Sequence, residues 1–255
     1  MKEPGISRCK FCTSENIPVN ADAIETARDN YARSANINYG NIIGKGAFRV
    51  VALGEYTKGQ RNSNFHRMRQ PCVGKWFKTT HGVEYETKFF AKDIYAVDKA
   101  VQIISEWNNA DLINCMIRLN RPQVWAKPDG RPVLVEPYIQ DFVKFNSNTG
   151  WTNPNRSNWN EAMQALSHYS FHVTKGRYLL CDLQGGFYRD GVVLSDPVIH
   201  SRGNNEFGLT DLGDKGIASF FARHRCNKFC SKCWVKPLNM QAYFQVSEST
   251  TMVLS

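Results

Sequence analysis

The sequence predicts an α+β fold in which a strand-rich first half is joined to a mixed second half. Between residues 39 and 138, apolar and β-branched runs are separated by turn-forming residues. Helical spacing of apolar residues returns near residue 160 and is followed by further short strand-like segments. With 255 residues, the chain can bury one large core or the cores of two closely joined lobes.

The first half is expected to form one antiparallel sheet with a helix packed on it. Apolar residues recur at helical spacing from Asp93 to Trp107, which predicts the helix. A polar helix is expected from Ala21 to Arg33, and we predict no function for it. Strands are predicted over residues 42–53, 72–77, 122–125 and 133–138, with a polar hairpin loop over 58–69.

The second half is expected to alternate helices with short strands. Apolar residues from about Asn160 to Thr174 lie roughly on one helical face. Strands are predicted over residues 178–182 and 192–196, with a turn at Gly185-Gly186 between them. A last helix is predicted over residues 217–230.

The charge balance and the absence of long apolar runs limit the class of protein. The 32 Lys and Arg residues exceed the 23 Asp and Glu residues, giving a formal charge of +9 that would suit a polyanionic partner. The basic residues are scattered, so they indicate a solvated surface and make nucleic acid an unlikely partner. No window reaches the ~20 apolar residues of a membrane helix, and no signal peptide is evident. We therefore expect a cytoplasmic protein without a membrane partner.

The cysteines are typical of metal ligands rather than of a disulfide framework. They are few, unevenly spread and partly clustered near histidine, which also indicates a reducing compartment. Cys9 and Cys12 form an isolated CxxC pair, and two thiols in a terminal tail are favoured over half of a metal site. The eight cysteines are residues 9, 12, 72, 115, 181, 226, 230 and 233.

Oxygen-bearing side chains follow two predicted strands of the second half. Asp182 and Gln184 come directly after one strand and Asp196 closes the next. Each Asp alone would be interpreted as a turn or capping residue. Together the three side chains offer the oxygen ligands that Mg²⁺ uses when it also binds phosphates.

Positive charge and glycine turns provide possible phosphate contacts. Lys75 lies in an apolar strand, where its ammonium group needs an anion unless it reaches solvent at a sheet edge. Arg49 follows a glycine turn and could reach the same anion. The loop from Gly208 to Gly216 contains Thr210 and Asp211 and could expose backbone amides to an anion, although a tight structural turn is an equally simple interpretation.

A histidine and two cysteines near the end of the chain predict a structural zinc site. His224, Cys226 and Cys230 have spacings that place both thiols on one helical turn with the histidine at its start. Zinc takes four tetrahedral nitrogen or sulfur ligands, and His200 is the preferred fourth ligand, with Cys233 as the competitor. Four protein ligands leave no open position, so the metal would stabilise the fold.

These motifs, in this order, resemble the alpha-kinase family of atypical protein kinases, over about residues 44–234. A loop between Gly185 and Leu194 is somewhat longer than in the family. The motifs that carry the resemblance are Val135-Glu136-Pro137-Tyr138-Ile139, Lys144-Phe145-Asn146-Ser147-Asn148, Cys181-Asp182-Leu183-Gln184-Gly185, Ser195-Asp196-Pro197-Val198-Ile199-His200, the Gly208–Gly216 loop, and His224-x-Cys226-Asn227-x-x-Cys230.

The resemblance implies a two-lobed protein-kinase-like fold that uses ATP, Mg²⁺ and Zn²⁺ to phosphorylate Ser or Thr of a protein substrate. Asp182 would be the catalytic aspartate and Lys75 would bind the ATP phosphates with Arg49. The remaining implied contacts are Glu136 and Tyr138 at the adenine, Thr210, Asp211 and Gly213 at the nucleotide, Gln184 and Asp196 at magnesium, and His200, His224, Cys226 and Cys230 at zinc.

The implied domain organisation divides the chain into three parts. Residues 1–38 would be an extension, residues 39–238 the catalytic domain with lobes meeting near residue 138, and residues 239–255 a C-terminal tail. The alternative to an active kinase is a catalytically silent, zinc-stabilised pseudokinase that serves as a binding scaffold. Intact Lys75, Asp182, Gln184 and Asp196 favour the active enzyme.

Overall fold

A computed structural model describes residues 27–28, 32–59, 70–155, 157–203 and 205–252. Cys9 and Cys12, and residues 60–69 of the predicted 58–69 loop, lie outside these ranges. In chain order the elements are β1 (Ala27–Arg28), β2 (Ala32–Lys45), β3 (Arg49–Gly59), β4 (Pro71–Phe77), α1 (Val83–Asn109), β5 (Met116–Asn120), β6 (Gln123–Ala126), β7 (Pro132–Pro137), β8 (Val143–Lys144), α2 (Asn158–Val173), β9 (Tyr178–Cys181), β10 (Gln184–Tyr188), β11 (Gly191–Leu194), β12 (Val198–Ser201) and α3 (Gly213–Arg223).

The first lobe is one antiparallel sheet with the strand order β2-β3-β4-β7-β6. The register pairs Lys75 of β4 with Val51 of β3 and with Leu134 of β7, so this lysine lies in the middle of the sheet. Helix α1 closes the lobe, because Phe90 packs with Phe77 and Leu134 against the sheet. These contacts confirm the predicted strand-rich lobe with one packed helix.

The second lobe combines two sheets with α2 and α3. One mixed sheet has the order β1-β5-β11-β10-β8, and β9 pairs with β12 in a separate two-stranded sheet. The main core gathers the fully buried Trp107 of α1, Trp159 and Leu166 of α2, and Leu180 of β9. Helix α1 therefore contributes to the cores of both lobes, and the fold is the predicted α+β arrangement of two lobes.

Three sequence-based expectations about local structure are wrong. Residues 27–28 and 32–33 are strand rather than polar helix. Gly185 and Gly186 lie inside β10 rather than in a turn. Residue 185 must be glycine, because a Cβ atom there would lie 1.9 Å from the Val193 carbonyl oxygen of β11. The extra residues of the predicted loop form this β10–β11 hairpin.

The third correction concerns the end of α3. The helix stops at Arg223, and His224 is extended at φ −61° and ψ 129°. Asn227 then closes a turn, since its backbone oxygen accepts from the Cys230 N–H at 3.0 Å and its side-chain oxygen from the Phe229 N–H at 2.9 Å. The predicted helix over 217–230 is thus half helix and half turn.

Residues 239–252, which we call the C-terminal segment, contain no helix or strand in the part that the structure describes. They are nevertheless bound to the second lobe. Tyr243 N–H donates to Ser219 Oγ at 2.9 Å, and Arg223 Nη2 donates to the Phe244 carbonyl at 2.9 Å. No helix among the described residues is both long and apolar enough to cross a membrane.

Candidate active site

A cleft of about 690 Å³ lies between the lobes and is lined by residues from both. A cavity of this size accommodates a nucleotide-sized ligand. Strand β4 of the first lobe contributes Lys75, and the ends of β9 and β11 in the second lobe contribute Asp182 and Asp196. Because β4 of the first lobe faces the ends of β9 and β11 across the cleft, residues far apart in sequence share one site.

Lys75 is the centre of a buried ion-pair network. Its Nζ pairs with Glu136 Oε1 and lies 2.6 Å from Asp196 Oδ2 and 2.9 Å from Ser195 Oγ. Ser195 in turn donates to Glu136 Oε1 at 2.6 Å. Burial acts to lower the pKa of Lys75, but Asp196 and Glu136 outweigh it and raise that pKa above its usual value. The ammonium group is therefore fixed as a cation at the cleft floor.

A second cation, Arg49, lies beside this network. Its Nη1 is 3.1 Å from Asp93 Oδ2 of α1 and 3.8 Å from Asp196 Oδ1. Burial raises the pKa of Asp93 to about 6, although Arg49 opposes the rise. The pair ties helix α1 to the glycine turn that precedes β3.

Asp182 is the most deeply placed carboxylate of the cleft, with 1% of its surface exposed. Lys144 Nζ lies 2.9 Å from Asp182 Oδ1, and Gln184 Nε2 is 3.5 Å from Asp182 Oδ2. Burial raises the pKa of Asp182, while Lys144 limits the rise. A raised pKa makes this carboxylate a better proton acceptor, and the Lys144 ammonium is the neighbour that favours its ionised form.

Both candidate aspartates have left-handed backbone conformations. Asp182 has φ 56° and Asp196 has φ 48°. Such conformations cost about 1 kcal/mol or more for a non-glycine residue and are kept where the surrounding structure enforces them. Here they turn both carboxylates from the ends of β9 and β11 into the cleft.

Gln184 and Asp196 have the donor chemistry that magnesium requires. Burial acts to raise the pKa of Asp196, but Lys75 and Arg49 outweigh it and the pKa is lowered. An ionised carboxylate and an amide oxygen facing the same cleft suit a hard divalent cation. The charges that line the cleft are balanced, with five acidic residues (Asp93, Glu136, Asp182, Asp196 and Glu248) and five basic ones (Lys45, Arg49, Lys75, Lys78 and Lys144). The carboxylates would repel a bare phosphate, so the cleft favours a phosphate ligand that arrives together with a divalent cation.

The remaining nucleotide-site predictions divide into two groups. Tyr138 and Thr210 line the cleft, as does Glu136. Asp211 and Gly213 are not among the residues that line the cleft, and their roles as cofactor contacts stay predictions. The Asp211 carboxylate instead accepts from Ser201 N–H at 2.9 Å, Gly213 N–H at 3.0 Å and Phe207 N–H at 3.3 Å. Asp211 holds the loop before α3 in shape and has no oxygen free for a ligand.

Two cleft residues, Asp93 and Lys144, were missed by reasoning from the sequence. Asp93 was recognised only as the start of an amphipathic helix, and α1 in fact begins ten residues earlier, at Val83. Lys144 stands in a two-residue strand that pairs with Gln184 of β10. Only the β8–β10 pairing, which no local pattern announces, brings this lysine to Asp182.

A separate cluster of possible metal ligands consists of His168, His224, Cys226 and Cys230. One ligand atom from each lies within 4.8 Å of all the others. Cys226 Sγ is 3.7 Å from His168 Nδ1, and Cys230 Sγ is 3.7 Å from His224 Nε2. A zinc tetrahedron with bonds of about 2.0–2.3 Å has edges of roughly 3.3–3.8 Å, so both distances fit this geometry.

The protonation of the cluster also fits a soft cation. Burial lowers the pKa of His168 to about 4 and that of His224 to about 3, so both imidazoles are neutral near pH 7. His168 Nε2 lies 3.1 Å from the Val235 carbonyl, which places the proton on Nε2 and leaves Nδ1 for a metal. Burial raises the pKa of Cys230 to about 12, so its thiol needs a bound cation to lose its proton.

His200 was predicted as the fourth zinc ligand, and the structure contradicts this. Both of its ring nitrogens are occupied: Nε2 lies 2.8 Å from the Asn148 carbonyl, and Nδ1 accepts from Leu212 N–H at 3.0 Å. His168 of α2 takes the fourth place instead. The competitor Cys233 is exposed and also lies outside the cluster. No local pattern marks His168, because its neighbours on the helix face include Gln164 and His172. Its ring packs against Phe221, His224 and Trp234 only in the folded chain.

The fold and the cleft define a two-lobed, protein-kinase-like domain. The chain belongs to the alpha-kinase family, whose model matches residues 44–230. This match confirms the resemblance inferred from the motifs.

Individual relatives extend the comparison. The chain is 36% identical to alpha-protein kinase vwkA of Dictyostelium discoideum over 99 residues, 38% of this chain and 16% of the relative. It is 32% identical to eukaryotic elongation factor 2 kinase of Rattus norvegicus over 145 residues, 55% of this chain and 18% of the relative. The chain thus spans about a sixth of the length of these relatives.

Solved structures share the fold. An alpha kinase from Entamoeba histolytica superposes with a TM-score of 0.66 at 21% identity, covering 86% of this chain and 85% of the other. An inactive alpha-kinase domain of myosin-II heavy chain kinase A, complexed with ATP, superposes with a TM-score of 0.62 at 20% identity, covering 77% and 87%.

Proposed function

We propose that this chain is an ATP-dependent protein kinase that transfers a phosphoryl group to Ser or Thr of a protein substrate. The observation that carries the proposal is the convergence of Lys75, Asp182, Gln184 and Asp196 on one cleft from separate strands. Family membership and ATP bound to a domain of the same fold support it. A cytoplasmic location is part of the proposal, supported by the free thiols of the described cysteines.

The proposed roles follow from the charges of the cleft. Lys75 and Arg49 bind phosphate oxygens and neutralise charge that builds up during transfer. Tyr138 and Thr210 border the nucleotide, and Gln184 and Asp196 hold Mg²⁺. When bound, Mg²⁺ screens the phosphate charge from the carboxylates. Asp182 orients the acceptor hydroxyl and accepts its proton, while Lys144 keeps Asp182 ionised before the reaction.

The His/Cys cluster is proposed to hold a structural zinc. Its four protein ligands are His168, His224, Cys226 and Cys230, which leave no position for substrate. The cluster joins α2 to the chain that follows α3, so a bound ion would tie these two parts of the second lobe together. Its proposed contribution is to stability and not to chemistry.

A single assay tests the proposed activity. The pure chain is incubated with labelled ATP, Mg²⁺ and a basic test protein rich in Ser and Thr, next to an Asp182→Ala control. We expect label on Ser or Thr of the test protein with the natural chain and none with the control. Tight ATP binding without transfer would contradict the proposal and favour a scaffold role.

A further inference from the structure

The C-terminal segment enters the cleft beside the candidate catalytic aspartate. Glu248, Ser249 and Thr250 all line the cleft. Thr250 Oγ1 donates to Asp182 Oδ2 at 2.7 Å. This is the contact that an acceptor hydroxyl must make with a general base before it attacks. The adjacent hydroxyl residues, Ser249 and Thr251, do not contact Asp182 in the described chain.

Two buried side chains hold the backbone on either side of Thr250. Asn148 binds both polar backbone groups of Thr251: its Nδ2 donates to the carbonyl at 2.7 Å and its Oδ1 accepts from the N–H at 2.9 Å. Thr149 does the same for Ser247, donating to its carbonyl at 3.1 Å and accepting from its N–H at 3.0 Å. Asn148 and Thr149 are each 1% exposed.

Within the C-terminal segment, these four hydrogen bonds involve only backbone atoms. They fix the chain one residue after Thr250 and three residues before it, and they are independent of the side chains there. A surface that merely covered the cleft would not need paired contacts with a peptide backbone at two points. The arrangement is the one by which a groove holds an extended acceptor peptide with its hydroxyl at the base.

We propose that Thr250 is an intramolecular phosphorylation site and that residues 247–251 occupy the acceptor groove of the chain's own active site. The inference rests on the proposed kinase function. Thr250 Oγ1 forms a bond to the γ-phosphorus of ATP, and the bond from that phosphorus to the β–γ bridging oxygen breaks. The electron pair leaves with ADP, and the Thr250 hydroxyl proton passes to Asp182 Oδ2.

The reaction has a physical consequence for the segment. Phosphothreonine at position 250 would place about two negative charges beside the Asp182 carboxylate. Like charges at hydrogen-bond distance repel, so the modified segment leaves the groove. The groove is then open to other protein substrates.

The first test measures where phosphate is incorporated and how. The full chain is incubated with Mg²⁺ and ATP, and its peptides are mapped by mass spectrometry. We expect phosphate on Thr250, at a rate per chain that does not change on dilution, because the reaction is intramolecular. Thr250→Val should lose this phosphate, whereas the matched control Thr251→Val should keep it.

A second readout needs no nucleotide. Amide hydrogen exchange of the untreated chain should show protection at Ser247 and Thr251, whose N–H groups are bound by Thr149 and Asn148. Thr149→Val removes both bonds to Ser247 and should speed exchange there by about tenfold. Incubation with Mg²⁺ and ATP should speed it as well, but not in Thr250→Val.

The outcomes separate this inference from the proposed function. Label on the test protein, with Thr250 unmodified or modified at a rate that rises with chain concentration, overturns the inference alone. Unprotected amides at Ser247 and Thr251 overturn it too. Label on neither the test protein nor Thr250 overturns the proposed kinase function, and the inference with it.

Discussion

The cleft between the lobes and the His/Cys cluster of the second lobe hold their polar groups in opposite states of charge. In the cleft, Lys75 is held as a cation and Asp196 as an anion by the charges around them. In the cluster, burial keeps His168 and His224 neutral. The charged side chains of the cleft suit a charged ligand. The neutral imidazoles and the thiols of the cluster suit a soft cation. We therefore expect the cleft to carry the chemistry and the cluster to contribute stability.

The largest expected effect is loss of the metal from the cluster. His168→Ala should remove one of four zinc ligands, and since metal binding is itself folding free energy, of order 10 kcal/mol for structural sites, the second lobe should unfold or aggregate. Elemental analysis and thermal denaturation of the purified chain measure this.

The matched variant for this prediction is Cys233→Ser, at an exposed cysteine outside the cluster. It should retain zinc and melt like the natural chain. A His168→Ala chain with normal zinc content and melting temperature would contradict the assignment, because zinc would then be held without His168.

A smaller but still large effect is expected at Lys75. Lys75→Met removes the cation of the cleft floor and leaves Glu136 buried without its partner, a change that costs about 3–5 kcal/mol for a buried pair. We expect lower stability of the first lobe and much weaker use of ATP. Urea denaturation and the ATP dependence of phosphoryl transfer report the two effects separately. Unchanged ATP dependence would return Lys75 to a purely structural role.

His200→Gln distinguishes the observed ligand set from the predicted one. The substitution disturbs hydrogen bonds to Asn148 and Leu212 and should destabilise the lobe by about 1–3 kcal/mol. Zinc content should stay that of the natural chain. Zinc lost from His200→Gln but kept in His168→Ala would reverse the assignment.

The smallest effect is a pH dependence at Asp93. Its pKa is raised to about 6, above the ordinary 3.8, so the folded chain holds this proton more tightly than the unfolded chain. The contribution of Asp93 to the free energy of unfolding is therefore highest below about pH 4 and falls, by at most about 3 kcal/mol, as pH rises through 6.

Asp93→Asn should remove this dependence. The stability of Asp93→Asn relative to the natural chain should then rise between pH 4 and pH 7, as measured by urea denaturation at each pH. A difference that stays constant across this range would show that Asp93 does not titrate there.

The sequence predicts the cleft better than the cluster, for a physical reason. Asp182, Gln184 and Asp196 follow apolar segments that are consecutive along the chain, so a local pattern identifies them, although β9 and β11 belong to different sheets. The fourth ligand of the cluster, His168, precedes His224 by 56 residues on another helix, and only tertiary packing reveals it. His200 was preferred because it is close to Asp196 in sequence, but that proximity fixes no distance to Cys226.

The fold was predictable to a similar degree. Local patterns identified α2, the part of α1 from Asp93 onwards, and strands that correspond to β2, β3, β4, β6, β7, β9 and β11, whereas β1, β5, β8, β10 and β12 were not predicted. The glycine pair in β10 and the early end of α3 were missed, because close backbone approach and a side-chain turn override local propensity. The predicted boundaries near residues 38, 138 and 238 stay predictions, although β2 begins earlier, at Ala32.

The measurement that tests the central claim most directly is phosphoryl transfer by Asp182→Asn in a chain that remains folded and loaded with zinc. The variant keeps the size of the side chain but removes the proton acceptor, so transfer to a test protein should fall by about 10²–10⁴-fold. Zinc content and melting temperature should stay close to those of the natural chain. Transfer at the natural rate by this folded variant would contradict the account, because the chemistry would then lie outside the cleft around Asp182.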